Sequence, residues 1–272
     1  MYFATPPRLR EPGETEVPLR VSAVHRRAFD GTGDAAPRLY RFTSDLASPF
    51  GVGVRTDVLD RPHPSYSMMA DTMLHDAVAA SGGQEPDLVV LAYAIPEIDP
   101  RRCVATRLNH LAGGDPFGFA VSDQGTAAPF SALALIGAHL RSGGCRRAML
   151  VVVEQADLPY EAPPGTALPG RDTAVALVFD AAGPARIAAL RRRTAVTASE
   201  VDEAIAAELA ALPAGPAAVT VIGRDPGPAG MLCTAPWWML ADHLRPAAEP
   251  HRTVVVDHDA SLGYLSLLAI DS

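Results

Sequence analysis

The stretch Asp87-Leu88-Val89-Val90-Leu91-Ala92-Tyr93 decides the fold class, because it is apolar from its second residue onward. A strand with one face in water alternates apolar and polar residues, whereas a strand covered on both faces is apolar throughout. Similar runs follow at 148–153 and 173–179, and patterns typical of helices lie between them. Strands that alternate with helices in this way predict an α/β fold with mostly parallel, helix-covered sheets.

The same alternation continues in both directions and divides the chain into two series. Residues 28–66 are broken by glycine and proline and are predicted to be irregular. We expect a loose N-terminal arm at 1–16, an N-terminal half at 17–183 and a similar but shortened C-terminal half at 184–272. Strands are predicted at 17–24, 87–93, 117–121, 148–153, 173–179, 186–190, 218–222, 253–256 and 264–270. Helices are predicted at 67–81, 102–111, 126–141 and 236–244, and a further one is capped by Thr197, with Glu200 completing a capping box, and continues to about 212.

Composition excludes several classes of function. The 272 residues include no lysine, so a Schiff base, pyridoxal-phosphate attachment and a P-loop are excluded. A net charge of −8 argues against nucleic-acid binding. Without CxxC spacing, Cys103, Cys145 and Cys233 predict neither a disulfide framework nor a metal site, and we expect small buried hydrophobes in a reducing cytoplasm. No apolar run approaches the roughly 18 residues of a membrane span, and the N-terminus does not have the pattern of a signal peptide.

The order of the pieces between 86 and 179 resembles the first half of β-ketoacyl synthase III, a family of the thiolase superfamily. The pieces are Pro86 before a buried strand, a short strand, a turn of small residues, a helix with Ser142-Gly143 at its end, and a second buried strand. The stretch 171–178 resembles the family's Asp-Gly-Ala-Gly-Ala strand entry with most glycines lost, and 254–270 with Gly263 resembles its closing hairpin. The resemblance implies a thiolase-like fold and a place in bacterial fatty-acid, polyketide-type or specialised-metabolite biosynthesis.

The family's catalytic cysteine begins the helix after the short strand, where a helix N-terminus stabilises the thiolate and backbone N–H groups hold the oxyanion. The resemblance places Thr126 at that position. The histidine position falls in Gly223-Arg224-Asp225-Pro226 and the asparagine position near Gly230-Met231-Leu232, and neither residue type is present there. The resemblance therefore implies a shortened member of the family without the Cys-His-Asn triad.

Two interpretations of the helix start stay open at this point. Thr126 is either a nucleophile, which needs a general base within hydrogen-bond reach, or a helix N-cap. Asp257-His258-Asp259 ends a strand, where open α/β sheets place ligands. His258 is the candidate base, and the alternative is a polar residue of the closing hairpin in solvent.

Polar side chains stand in place of the small residues usual before the family nucleophile. Gln124 either donates to a thioester carbonyl, or it and its neighbours satisfy the backbone at the turn or lie at a subunit interface. The candidates for substrate binding are Ser122, Asp123, Gln124 and Asp259.

The resemblance implies two functions, and a third is kept beside them. The protein is either a non-elongating partner subunit, paired with itself or a homologous synthase through the edge strand near the nucleophile helix, or an acyltransferase that uses Thr126 or direct transfer. A binding protein for acyl thioesters would show affinity without turnover. No cofactor is expected; acyl-CoA or the phosphopantetheine of an acyl carrier protein is the expected substrate. The arginine clusters at 146–147 and 191–193 are either solvated or dock an acidic carrier protein.

Overall fold

Nine strands of the computed structural model lie in one continuous sheet. The structure describes residues 19–29, 31–100, 116–224, 227–244 and 249–272, so the predicted arm at 1–16, the predicted helix at 102–111 and Cys103 lie outside the described residues. The strands agree with the predicted ones to within a few residues. They are β1 (Arg20–Ala28), β2 (Leu88–Ala92), β3 (Phe117–Val121), β4 (Ala148–Glu154), β5 (Thr173–Asp180), β6 (Ala185–Arg193), β7 (Ala218–Ile222), β8 (His251–Asp259) and β9 (Tyr264–Asp271).

The strand order across the sheet is β3-β2-β4-β5-β1-β6-β9-β8-β7. The predicted α/β class is confirmed, but the strand directions correct the expectation of mostly parallel sheets. Three neighbouring pairs are parallel, namely β2–β3, β2–β4 and β7–β8, and the other five are antiparallel. The apolar runs show that both faces are covered, but they carry no information on strand direction, because any doubly covered strand is apolar throughout.

The sheet repeats its own order on either side of the β1–β6 pair. Outward from β1 come β5, β4 and β2, and outward from β6 come β9, β8 and β7 in the same relative directions. The first set continues to β3, whereas the second set ends at β7 within the described residues. The order therefore fits two similar halves with the second one reduced, while the predicted boundaries, 17–183 and 184–272, stay predictions.

Helices cover the sheet on its outer faces and between its two halves. The prediction that residues 28–66 are irregular is wrong, because two short helices form there. The glycines and prolines of this stretch lie mainly at helix ends and in the connecting turns. No helix among the described residues has the length and apolarity to cross a bilayer. The α-helices are α1 (Tyr40–Ala47), α2 (Thr56–Leu59), α3 (Tyr66–Ala80), α4 (Ala128–Arg141), α5 (Val201–Ala210) and α6 (Ala235–His243).

The buried side chains arrange these helices in layers. Helix α3 covers the outer face of the first half and α5 that of the second. Helices α4 and α6 lie between the halves, where Phe130 packs against Trp237 with ring centroids 4.8 Å apart. Helix α4 is apolar around most of its circumference because protein covers most of it, although Leu135 is exposed. Thr126 and Thr234, which precede the two central helices, are consequently buried where the halves meet.

Candidate functional site

Thr126 lies in the 3₁₀ turn Gly125–Ala127 that leads into α4. Its hydroxyl donates a hydrogen bond to Asp257 Oδ2 over 2.7 Å, and its backbone N–H donates to Asp259 Oδ2 over 3.0 Å. Both carboxylates stand at the end of β8 in the other half, two residues apart and therefore on one face of the strand. The structure thus brings together two residues selected from the sequence, Thr126 and Asp259, and adds Asp257.

Asp259 is held in a dense set of hydrogen bonds. Its Oδ1 atom accepts from the Ser261 hydroxyl over 2.6 Å, from the Ser261 N–H over 3.0 Å and from the Leu262 N–H over 3.1 Å. Burial opposes ionisation, but these bonds and the one from Thr126 outweigh it and hold the pKa of Asp259 below its ordinary value. Asp259 is therefore a carboxylate at neutral pH.

The pKa of Asp257 is shifted in the opposite direction. Burial raises the pKa of Asp257 from 3.8 to about 6, and the neighbouring Asp259 charge acts in the same direction. The hydrogen bond from Thr126 and the proximity of His258 oppose this rise without cancelling it. The two carboxylates therefore share one helix start but ionise in different pH ranges.

Gly125 makes the approach of Asp259 to the helix start geometrically feasible. Its φ of +54° lies in the left-handed region, and a Cβ at this position would stand only 1.8 Å from Asp259 Oδ2. Any other residue would push the carboxylate away from the Thr126 N–H. The glycine therefore belongs to the site through its lack of a side chain.

The polar side chains before Gly125 point away from Thr126. The Ser122 hydroxyl donates to Asp123 Oδ2 over 3.0 Å at the surface. Gln124 Oε1 accepts from the Ser131 hydroxyl, which in turn accepts from Arg192 Nη1 over 2.9 Å. These contacts agree with the interpretation that the side chains stabilise the turn, while substrate binding by them stays a prediction.

His258 faces the other side of β8, because side chains alternate along a strand. Its Nε2–H donates to the Val196 carbonyl over 3.0 Å. The structure thus does not place the imidazole at the Thr126 hydroxyl, and Asp257 stands there instead. The period of two in a strand is the sequence signal that would have selected Asp257, because it places residues 257 and 259 together and 258 opposite.

A second carboxylate–helix pair repeats this arrangement at α6. Glu154, at the end of β4, is 0% exposed and accepts from the N–H groups of Leu232, Cys233 and Thr234 over 2.7–3.3 Å. It also accepts from the hydroxyls of Thr234 and Thr173. Burial raises the pKa of Glu154, although these bonds counteract the rise. Glu154 is not among the residues selected from the sequence, and its signal there is a single charge at the end of a fully apolar strand.

The two pairs are reciprocal. Strands β4 and β8 hold equivalent places in the two halves, and the carboxylate or carboxylates at the end of each bind the turn that precedes the central helix of the other half. A helix N-terminus attracts anions through its free N–H groups and its dipole. In this protein the chain itself supplies the anion at both central helices.

The remaining thiols have no role in this site. Cys233 is fully buried, and burial together with the Glu154 and Asp257 charges holds the pKa of its thiol well above the ordinary value. Burial also raises the pKa of Cys145 to about 11. Thiolates are the reactive form of cysteine, so both residues are inert at neutral pH, in agreement with the expectation of small buried hydrophobes.

Solved structures match the chain over almost its whole length. Germicidin synthase from Streptomyces coelicolor, titled a type III polyketide synthase, has a TM-score of 0.64 at 12% identity, with 93% of this chain and 99% of that chain covered. The 3-oxoacyl-(acyl carrier protein) synthase III of Pseudomonas aeruginosa PAO1 has a TM-score of 0.59 at 16% identity, covering 93% and 97%. The chain has the thiolase-like fold of these synthases. A protein titled ChlB3, an acyltransferase, shares this fold with a TM-score of 0.58 at 18% identity, covering 93% and 97%.

The predicted resemblance to β-ketoacyl synthase III is confirmed at the level of the thiolase-like fold. Neither a model of a protein family nor a curated protein matches the sequence. Identities this low establish a shared fold, and a shared fold hosts many activities. What the protein does must therefore be argued from Thr126 and the carboxylates around it.

Proposed function

We propose that this protein is a non-elongating partner subunit of a complex that handles acyl thioesters in bacterial fatty-acid, polyketide-type or specialised-metabolite biosynthesis. The observation that carries the proposal is the double engagement of Thr126, whose hydroxyl and backbone N–H are both bound by carboxylates of the same chain. An acyl-enzyme reaction at this position would need the hydroxyl as the nucleophile and the backbone N–H as a donor to the oxyanion.

The electrostatics of the helix start oppose acyl transfer through Thr126. An oxyanion needs N–H donors, and loss of one such donor in other enzymes lowers the rate by about 10²–10³-fold. Here the Thr126 N–H already binds Asp259, which is ionised at neutral pH. An oxyanion would have to displace one carboxylate and develop its charge beside a second one, Asp257.

The residues at the other catalytic positions of the family support the same function. Gly223 and Arg224 stand at the predicted histidine position, and 230–232 at the predicted asparagine position. The N–H groups of Leu232, Cys233 and Thr234 near that position are bound by Glu154. The N–H groups of this turn are therefore bound by a carboxylate of the same chain, as the N–H of Thr126 is.

The edge strand β3 supports a role as a partner. Its residue Phe117 is 58% exposed, and Leu135 on the adjacent helix α4 is 44% exposed. Edge strands of soluble proteins usually carry charges or proline that discourage pairing, and β3 (Phe-Gly-Phe-Ala-Val) carries neither. We infer that β3 pairs with the same strand of a homologous synthase or of a second copy, in the cytoplasm.

Co-expression tests this proposal. The chain is produced with each β-ketoacyl synthase III of the same genome that retains its catalytic cysteine, and the mass of the purified protein is measured by analytical ultracentrifugation. We expect a stable heterodimer that Phe117→Glu disrupts. The control Phe50→Glu, at an exposed residue outside β3, should leave it intact. A monomer that binds no synthase would overturn the partner role.

One observation favours the alternative, an acyltransferase that moves an acyl group from CoA or an acyl carrier protein to an acceptor. Asp257, with a pKa of about 6, accepts the hydrogen bond of the Thr126 hydroxyl and is positioned to take its proton. In direct transfer, the protein would only position the thioester and the acceptor. Covalent transfer predicts an ester on Thr126 that disappears in Thr126→Ala, whereas binding without turnover gives neither ester nor product.

A further inference from the structure

Strand β7 forms an open edge of the sheet within the described residues. It pairs with β8 on one side only, and Val219, its second residue, is 50% exposed. Its sequence, Ala218-Val219-Thr220-Val221-Ile222, contains neither a charged residue nor proline. An edge of this kind presents unpaired N–H and C=O groups that readily pair with another strand.

The first half of the protein shows which kind of element covers the equivalent edge. Strand β2 holds there the place that β7 holds in the second half, and β3 pairs with it in parallel along its whole length. The segment between β2 and α4 that contains β3 spans residues 93–127, whereas the segment between β7 and α6 spans only 223–234. Among the described residues, the second half therefore has the acceptor strand without a strand that pairs with its outer edge.

A groove accompanies the open edge on the side of α5. It has a volume of about 720 Å³ and lies between α5 and the strands β7 and β8. Four apolar side chains from these three elements line it, namely Val201, Ile205, Val221 and Val256. Gly223 and the polar residues Asp202, Arg224, Asp257 and His258 complete the lining. Side chains on one face of a strand added to β7 would point into this groove, since alternate residues share a face.

We propose that an extended segment of a partner protein adds to β7 as a parallel strand and places alternate apolar side chains in this groove. Main-chain hydrogen bonds to the open edge supply affinity, and the groove selects residues of suitable size at every second position. Arg224 and Asp202, which pair with each other over 2.5 Å, offer one charge of each sign at the rim. The segment is thus apolar at alternate positions and polar between them. The proposal requires no reaction at Thr126, although Asp257 both lines the groove and binds the Thr126 hydroxyl.

A peptide of residues 116–122, Pro-Phe-Gly-Phe-Ala-Val-Ser, is a suitable probe, because β3 is the strand that pairs with the equivalent edge of the first half. Hydrogen exchange of the full-length chain is followed by mass spectrometry with and without this peptide at millimolar concentration. We expect the edge amides of 218–222 to exchange rapidly alone and at least tenfold more slowly with the peptide. A scrambled peptide should give no protection.

The variant Val219→Lys places a charge on the open edge and should abolish the protection of 218–222. The control Phe50→Lys adds the same charge at a residue that is 79% exposed and lies outside the groove. Protection of 117–121 instead of 218–222 would overturn the proposal, and so would no protection of either. A third outcome would also overturn the proposal: slow exchange of the 218–222 amides in the free protein that becomes fast when residues 1–16 are deleted. The chain's own N-terminus would then be the segment that pairs with β7.

Discussion

The hydroxyl of Thr126 donates to Asp257 over 2.7 Å, and this bond joins the 3₁₀ turn before α4 in one half to the end of β8 in the other. The start of the central helix is therefore tied to its neighbour through a polar contact. Glu154 makes the equivalent connection in the opposite direction, to the start of α6. The protein uses two helix N-termini as internal contacts where the resemblance implied a catalytic centre.

Substitution of Asp257 should change how stability depends on pH. The pKa of its carboxyl is about 6 in the folded protein against 3.8 for the ordinary value, so the folded state binds the proton more tightly. The resulting stabilisation is complete below about pH 4 and is lost as the pH rises through 6. Its full size is at most about 3 kcal/mol. The free energy of unfolding, measured with urea at pH 4.5–7.5, should fall less steeply with pH in Asp257→Asn than in the wild type.

Comparison of the wild type with Asp257→Asn isolates the contribution of Asp257 to stability. Asp259 is present in both proteins, and its contribution depends on pH in the opposite direction. The pKa of Asp259 is lowered, so its stabilisation is present at neutral pH and is lost in acid. Identical slopes for the wild type and Asp257→Asn between pH 5 and 7 would mean that Asp257 is not buried against Thr126.

Gly125→Ala should destabilise the protein more than a glycine substitution at another left-handed position. The new methyl group would meet Asp259 Oδ2 at 1.8 Å, whereas the matched control Gly143→Ala, with φ of +72°, points into open space. Both variants carry the left-handed penalty of about 1–2 kcal/mol, so the difference reports the clash. We expect thermal unfolding to show a difference of about 1–3 kcal/mol. Equal losses would contradict the close approach of Asp259.

Glu154→Gln should be costly although it changes the shape of the side chain little. In wild type, two carboxylate oxygens accept the surrounding N–H groups, whereas the glutamine amide has only one oxygen to accept them. Its NH₂ group is a donor and would face the N–H donors of Cys233 and Thr234. Loss of a buried, multiply bonded carboxylate should cost about 2–4 kcal/mol in denaturant unfolding. Glu203→Gln, on the exposed face of α5, is the control and should change stability by less than about 0.5 kcal/mol. A neutral effect of Glu154→Gln would refute its role as the contact of α6.

Thr126→Cys offers a direct measure of the field at the helix start. A cysteine at a free helix N-terminus has a lowered pKa, but here Asp257 and Asp259 already occupy the N-terminus. We expect the pH dependence of iodoacetamide alkylation to give a thiol pKa above the ordinary value of about 8.5. A value below about 7.5 would show that the helix dipole outweighs both carboxylates.

The sequence predicts the strands well because doubly covered strands are apolar without interruption, as 88–92 and 148–153 show. It fails at residues 28–66, which it predicts to be irregular although α1 and α2 form there. It also fails on strand direction, since the apolar pattern of β5 is the same in a parallel and an antiparallel pair.

The site was predictable only in part. Thr126 followed from the order of elements, and Asp259 from its place at the end of a strand. The contacts of Thr126 with Asp257 and of Glu154 with α6 join residues more than 70 positions apart, and only the packing of the two halves brings them together. His258 was selected because histidine is the usual base, but strand alternation directs it to the opposite face.

The most direct test of the central claim is the intact mass of the full-length protein after incubation with acetyl-, butyryl- and octanoyl-CoA, with Thr126→Ala measured in parallel. If the carboxylates engage both the hydroxyl and the N–H of Thr126, the mass should be unchanged for all three thioesters, and no free CoA should appear above the rate without protein. A stoichiometric acyl adduct that maps to Thr126 and is absent from Thr126→Ala would contradict the account and establish the acyltransferase.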